Sequence, residues 1–348
     1  MLKWYEQVRM EAGSNYVSSR IRLVRNWKEY RFPGSLSTEE AGEMVRRMRA
    51  GLGPFLEAAG ENFTGSYLAE IPEAERLAMR ERRVLNAGIL GRRAPVGLVL
   101  SETEDVSLVL NGDDHIRLQL ISPNQHIYEL FERADALDDR LNESFAYAFD
   151  ERYGYLTSFP TNVGTGMRAN IVVHLPALST GKQFQSLLQS MTRFGVTIRG
   201  VYGAAGRENC GALYDVSNAK TLGLSEREIL DLVVKVAAQL NSEENQVRRK
   251  SLEAHRLERV DEAFKAYGLL KYARKLSLRD ALSYISQVMA GITDGIITAG
   301  EPVSLYRLYF GVQPHNLIAG ARGPVDREKL DAVRADYIRR ELPEIKEV

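Results

Sequence analysis

One cysteine stands in the whole chain, Cys210. No internal disulfide can form, and a cytosolic address follows as the default expectation. No apolar run approaches the roughly 20 residues of a membrane span. The opening Met1-Leu2-Lys3-Trp4 carries no signal-peptide pattern. An excess of one charge is missing too: 46 Lys and Arg balance 46 Asp and Glu. That balance argues against a general nucleic-acid or membrane-surface binder, so any anion site here is local. There is no Gly-rich Walker loop, no dinucleotide fingerprint, no repeat and no low-complexity segment.

What is present is ordinary globular sequence, and its 348 residues are comfortable for two domains. Ser18 to Arg25 alternates polar and apolar residues and reads as an extended segment. Ser37-Thr38-Glu39-Glu40 has capping-box spacing, which predicts a helix through about Leu56. Gly97–Leu100, Val106–Leu110 and His115–Ile121 read as strands, with Asn111-Gly112 as a hairpin signal between the last two. Pro123 opens a helical stretch with Ile127, Leu130, Phe131, Ala134, Leu137, Leu141 and Phe145 on one face. Tyr153–Thr157, Met167–Leu175, Thr197–Tyr202 and Ala212–Val216 are further strands, with Ser179 and Ser225 as helix caps. From Ser225 the chain reads as helix to about Tyr272, then again over Leu278–Met289 and Val325–Arg340. Hairpin-linked strands argue against a doubly wound sheet. The expected fold is α+β: a mostly antiparallel sheet flanked by helices over residues 14–245, then a helical C-terminal domain over 250–348.

Without a Walker loop, a phosphate site has to come from elsewhere. Guanidinium forks pair with phosphate oxygens in a bidentate way and stay charged at working pH. Arg20 and Arg22 lie two apart on one strand, and Arg117, Arg168 and Arg199 each lie in or beside another. Taken singly, each is an ordinary solvated arginine. Five on four strands of one predicted sheet point to a converging anion site.

Five segments resemble the phosphagen (ATP:guanidino) kinases. They are Ser18-Ser19-Arg20-Ile21-Arg22, Asn111-Gly112-Asp113-Asp114-His115-Ile116-Arg117, the run from Pro160 through Thr161-Asn162-Val163-Gly164-Thr165-Gly166-Met167 to Arg168-Ala169, Arg199-Gly200-Val201-Tyr202-Gly203, and Tyr214-Asp215-Val216-Ser217-Asn218 with Leu222-Gly223-Leu224-Ser225-Glu226. They stand in the family's order over roughly residues 14 to 245. Within it the chain is similar to the bacterial protein-arginine-kinase branch: it lacks the long N-terminal helical domain, carries Tyr30-Arg31-Phe32-Pro33, and adds a C-terminal helical domain. The resemblance implies the glutamine-synthetase-like catalytic fold and transfer of the ATP γ-phosphoryl group to protein arginine. It places MgATP, with Mg²⁺ bound through the phosphates and no protein metal site, on Arg20, Arg22, Arg117, Arg168 and Arg199. Ser18, Ser19, Ile21, Arg83, Ala169, Asn170, Ile171, Val172, Gly200, Val201, Tyr202, Gly203 and Ala204 complete the implied nucleotide set. Implied partners are proteins with exposed arginine, a zinc-binding activator protein, a heat-shock repressor and a protease-associated chaperone, with no nucleic acid or membrane, and a homodimer.

The acceptor side departs from the family. Gly112-Asp113-Asp114-His115 stands where Glu-Glu-Asp-His is usual, so Asp113, the catalytic candidate, is one methylene short. The alternative is that Asp113 is only a turn residue. Ala204 replaces the second family carboxylate, with Glu208 as a partial substitute, and Phe159 replaces a cysteine. In the C-terminal domain Leu330-Asp331-Ala332-Val333-Arg334-Ala335 keeps Asp331 and Arg334 of a phosphoarginine-binding motif but loses its first arginine; a simple i, i+3 ion pair is the alternative. A nucleotide-binding pseudokinase acting as regulator or scaffold is the second functional expectation.

Overall fold

The computed structural model describes the chain apart from residues 10, 12, 61, 203–208, 300–303 and 322–324. In order it forms β1 (Tyr16–Arg25), α1 (Thr38–Ala50), α2 (Gly53–Ala59), β2 (Phe63–Tyr67), α3 (Glu73–Glu81), α4 (Ala87–Leu90), β3 (Gly97–Ser101), β4 (Val106–Leu110) and β5 (Ile116–Pro123). Then come α5 (Ile127–Ser144), β6 (Phe149–Asp150), β7 (Gly154–Tyr155), β8 (Met167–His174), α6 (Phe184–Thr192), β9 (Val196–Gly200) and β10 (Leu213–Asn218). The rest is α7 (Glu226–Ala254), α8 (Arg256–Tyr272), α9 (Leu278–Thr293), β11 (Ile297–Ala299), α10 (Tyr306–Gly311), α11 (Pro314–Ala319), α12 (Leu330–Glu341) and β12 (Ile345–Glu347).

Eight strands form one sheet in the order β2-β3-β4-β5-β1-β8-β10-β9, and β2 through β5 pair antiparallel. The α+β expectation therefore holds. Two compact units are present: residues 1–4, 19–170 and 217–233 in the first, and 5–18, 171–216 and 234–348 in the second. α7 runs unbroken through residues 245–250, where the sequence placed a change of domain.

In the first unit, a core of Leu68, Val84, Leu85, Ile89, Val96, Leu98 and Val109 lies under the β2–β4 side. α5 buries Ile127, Leu130, Ala134, Leu137 and Leu141 on the face that the periodicity marked, packing on β5 and α2. Both tryptophans, Trp4 and Trp27, are buried in this unit. In the second unit, α8 packs on α9, which buries Leu282, Ile285, Val288 and Met289. The Ser37 capping box forms: the Glu40 N–H donates to Ser37 Oγ at 3.2 Å and the Ser37 N–H to Glu40 Oε2 at 2.7 Å. Ser225 and Glu228 repeat it at the start of α7.

Several boundaries differ from the sequence reading. The helix expected through Leu56 breaks at Gly51, which caps α1 by donating to Arg47 and Met48 carbonyls. Pro123 ends β5, and α5 begins only at Ile127. Ser179 does not cap α6: it sits in a 3₁₀ turn, donating to Pro176 O, and α6 follows Gln183. The Tyr153–Thr157 strand shrinks to Gly154–Tyr155. His255 separates α7 from α8, and the last helix starts at Leu330.

Candidate active site

β1 presents Arg20 and Arg22 on its partly open face, while Ile21 and Leu23 on the other face are fully buried. Arg117 lies on β5, and Arg168 is the second residue of β8. Each arginine feels its neighbours. Burial first, then the charges of Arg20 and Arg168, pushes the Arg22 guanidinium down to about 10, while Asp113 and Asp114 oppose that shift. Burial, then Arg22 and Arg20, pushes Arg117 down to about 9, again against Asp113. The first unit thus brings Arg20, Arg22, Arg117 and Arg168 together with Asp113 in one electrostatic neighbourhood.

Local structure holds these side chains. Arg117 Nη1 donates to Val84 O at 3.0 Å and Nη2 to Gln119 Oε1 at 2.7 Å. Gln119 in turn donates to Arg83 O at 2.9 Å, and Arg83 adopts the left-handed conformation, φ 69°. The turn at 83–84 therefore serves as an acceptor pair for two β5 side chains. Arg117 Nε is buried without a hydrogen-bond partner among the described residues. Arg168 Nη1 donates to Asn218 O at 3.0 Å. The Asn218 side chain accepts from Ala169 N at 2.9 Å and donates to Met167 O at 3.0 Å, pinning the start of β8.

The loop before β8 needs its glycines. A Cβ on Gly164, φ 110°, would lie 2.4 Å from Thr221 O, and one on Gly166 would lie 2.5 Å from Arg25 Nη1. Thr221 Oγ1 donates to the carbonyls of Thr161 and Val163, so the loop is docked along its length.

Asp113 sits half-buried in the β4–β5 hairpin, whose closing bond runs from Asn111 N to His115 O at 2.8 Å. Asn111 takes the positive φ, 62°; the hairpin is wider than the two-residue turn that Asn-Gly suggests. The reason lies in β1's exit: Asn26 Nδ2 donates to Asp114 Oδ1 at 2.8 Å, and Asn26 Oδ1 accepts the His115 N–H at 2.9 Å. Asn86 Nδ2 donates to Asp113 Oδ2 at 3.2 Å while its own oxygen caps α4. Asp114 Oδ1 also accepts the Ser158 N–H at 2.6 Å, and its Oδ2 is buried without a partner among the described residues. Next to Ser158, the Phe159 ring is half-exposed. His115 is buried and neutral: Nδ1 accepts from Trp27 N, Nε2 donates to Arg31 O, and burial pushes it down to about 4. Asn26 and Asn86 escaped the sequence reading, and Asp114 was quoted in a matched segment there without being given a role.

Ser18, Ser19, Ala169, Asn170, Ile171 and Val172 are buried, with Ser19 Oγ donating to Asn124 O at 3.0 Å. In the second unit Arg199 is exposed on β9. It lines a cavity of about 1200 Å³ together with Gly200 and Cys210. Asn209 braces this region: its side chain accepts from Tyr202 N at 3.1 Å and donates to Leu213 O at 2.6 Å. Val201 N donates to Leu213 O, and the Tyr202 ring stacks on Tyr309. Gly203, Ala204 and Glu208 lie outside the described residues. Farther along, Arg334 is buried, donating to Val312 O, Leu276 O and Asp331 Oδ1 at 2.9, 2.8 and 2.6 Å.

Residues 44–247 match the family described as ATP:guanido phosphotransferase, C-terminal catalytic domain, and residues 256–348 match the protein-arginine kinase McsB C-terminal domain. The protein-arginine kinase of Desulforamulus reducens is 35% identical over 342 residues, covering 98% of this chain and 95% of that protein. That of Caldanaerobacter subterraneus subsp. tengcongensis is 36% identical over 334 residues, covering 94% and 96%. Among solved structures, a lombricine kinase superposes with a TM-score of 0.56 at 24% identity, over 73% of this chain and 72% of that one, which is a likeness of fold.

Proposed function

The chain belongs to the ATP:guanido phosphotransferase family, on its protein-arginine kinase branch, and from that premise we propose that it transfers the γ-phosphoryl group of ATP to arginine side chains of other proteins. The observation that carries this reading is the cluster of Arg20, Arg22, Arg117 and Arg168, mutually repelling and facing Asp113. Such a cluster is costly alone and is relieved by a polyanion, which is what a triphosphate supplies. Arg199 joins the clamp in this reading, and Ser18 to Arg22, Arg83, Ala169 to Val172 and Arg199 to Ala204 form the nucleotide site. Mg²⁺ travels with the phosphates and neutralises charge on the transferred group.

In the transfer, an acceptor guanidinium nitrogen forms the N–P bond as the bond from the γ-phosphorus to the ADP oxygen breaks. The acceptor loses one proton, which Asp113 takes in this reading. Asn86 fixes the Asp113 rotamer, and Asp114, gripped by Asn26 and the Ser158 N–H, adds negative charge on the side that receives a cation. Glu208 remains a second carboxylate candidate. The half-exposed Phe159 ring gives the acceptor an aromatic neighbour in place of a thiolate.

The functional division in this reading is residues 14–245 for catalysis and 250–348 for a helical accessory domain. There Asp331 and Arg334 serve packing in this reading, since Arg334 is buried with its Nε and Nη1 spent on Val312 O, Leu276 O and Asp331 Oδ1, and Leu330 offers no second fork. Partners in this reading are arginine-bearing proteins, a zinc-binding activator, a heat-shock repressor, a protease-associated chaperone and a second copy of the chain, in the cytoplasm. No helix among the described residues is long and apolar enough to cross a membrane. The test is acid-labile phosphate on an arginine-rich protein incubated with MgATP and this chain. Nucleotide binding without any transfer would replace the kinase with a nucleotide-binding regulator.

A further inference from the structure

A second collection of guanidiniums lies in the first unit, and none of Arg20, Arg22, Arg117 or Arg168 belongs to it. A cavity of about 390 Å³ is lined by Arg46 on α1, Arg76 on α3, and Arg92 and Arg93 just after α4. Among the described residues no carboxylate forms an ion pair with any of the four, and Glu70 is the one carboxylate in the lining. Glu70 is itself engaged, accepting the Tyr67 N–H at 3.0 Å. The Nε–H groups of Arg76 and Arg92 are buried without a hydrogen-bond partner among the described residues. Arg92 Nη2 reaches only two acceptors, Asn111 Oδ1 at 3.4 Å and Pro33 O at 3.5 Å, near the outer limit for a hydrogen bond.

Arg46 and Arg93 are exposed, but four like charges sharing one counter-charge, two of them with a stranded donor, favour an anion with several acceptor atoms. The side chains of Arg76 and Arg92 are half-buried, and solvent does not reach either Nε–H directly. The donors converge from three separate segments, which suits a tetrahedral anion with several acceptor oxygens better than a planar carboxylate. Leu68 and Pro95 give the cavity an apolar side, which favours a phosphoryl group on an organic stem.

We propose that Arg46, Arg76, Arg92 and Arg93 form a second anion site in this chain, distinct from the nucleotide clamp, that binds a phosphoryl dianion. Occupancy draws on Arg92, whose charge acts on Asp113 and whose guanidinium touches Asn111 at the foot of the catalytic hairpin. The site is therefore wired to the acceptor side of the reaction.

Calorimetric titration of the full chain, saturated with a non-transferring MgATP analogue, tests this with two probes: inorganic phosphate and free phosphoarginine. We expect one saturable event, weakened about tenfold or more in Arg46→Met and in Arg76→Met, the loss of one charge-assisted pair. Arg93→Met, at an exposed side chain, gives the same reading should Arg76→Met fail to fold. Affinity for the MgATP analogue should stay within about twofold in every variant, because none of these residues touches the clamp. Tighter phosphoarginine identifies a phosphorylated side chain as the ligand, and equal or tighter inorganic phosphate identifies the free ion; both support the site. No saturable event with either probe, or equal affinity in parent and variants, overturns it.

Discussion

Asn26 donates to the Asp114 carboxylate at 2.8 Å, tying the end of β1 to the hairpin that carries Asp113. β1 also carries Arg20 and Arg22, so in the proposed reading one strand positions both the phosphate side and the acceptor side. A change at Asn26 should therefore reach both halves of the reaction, whereas changes at the ends of the network should separate them.

Asp113→Asn should abolish phosphoryl transfer while leaving nucleotide affinity within about twofold, because the proposed role of the carboxylate is on the acceptor and not on the phosphates. Asn86 can still hold the amide, so folding should be unchanged. Parallel kinase assays and calorimetry check this; transfer near the parent rate would reduce Asp113 to a turn residue.

Nucleotide binding should take up protons in alkaline solution. Arg22 and Arg117 are pushed down to about 10 and about 9, so near pH 9.5 the free clamp is partly deprotonated. A bound triphosphate favours the charged forms, so on the order of one proton should be absorbed at pH 9.5 and none at pH 7. Calorimetry in buffers of different ionisation enthalpy measures it, and Arg117→Met should reduce the uptake. In the free protein the sign is fixed by the same depression. The unfolded chain keeps these protons to higher pH, so this contribution to stability rises with pH from about 9 upward.

Acid should destabilise both units through buried neutral histidines. His115 is pushed down to about 4 and His174 to about 3, in each case chiefly by burial. Below the ordinary histidine value the unfolded chain binds protons that the folded chain refuses, so stability is lost as pH falls from about 6.5. At pH 5 the loss should be about 2 kcal/mol per histidine. Urea titrations at pH 7 and 5 read this, and His174→Asn should flatten part of the dependence; an unchanged slope would mean that the imidazole is not held neutral.

Gly164→Ala should cost about 3 kcal/mol or more, since its φ of 110° is a glycine conformation and the new Cβ would meet Thr221 O. Denaturant unfolding measures the loss. An alanine variant of parent stability would show that the loop can leave Thr221 freely.

Phe159→Cys, alone or with Ala204→Glu, should raise transfer to protein arginine without tightening nucleotide binding. The ring then no longer substitutes for an opposing charge beside the acceptor. Unchanged or lower transfer in both forms would show that this acceptor site works through the aromatic ring.

The strands and their arginines were legible because period-two alternation and the capping boxes at Ser37 and Ser225 are local signals. The width of the β4–β5 hairpin was not, because Asn26, more than 80 residues earlier in the chain, sets it through Asp114 and His115. Ser179 looked like a cap, yet its position follows from the turn at Pro176. Arg46, Arg76, Arg92 and Arg93 carried no common pattern, since three short segments separated in sequence bring them to one cavity.

The two tryptophans, Trp4 and Trp27, both belong to the first unit, and the second holds none. Indole emission is thus a private channel for the unit with the arginine cluster and the Asp113 hairpin. Trp27 is the sharper reporter: its backbone touches His115 and its ring lies 4.7 Å under the Arg47 guanidinium. Far-ultraviolet ellipticity, by contrast, draws heavily on α7, α8 and α9, which lie wholly or mostly in the other unit. Following one melt in both channels would assign each transition to its half of the chain, with no label attached.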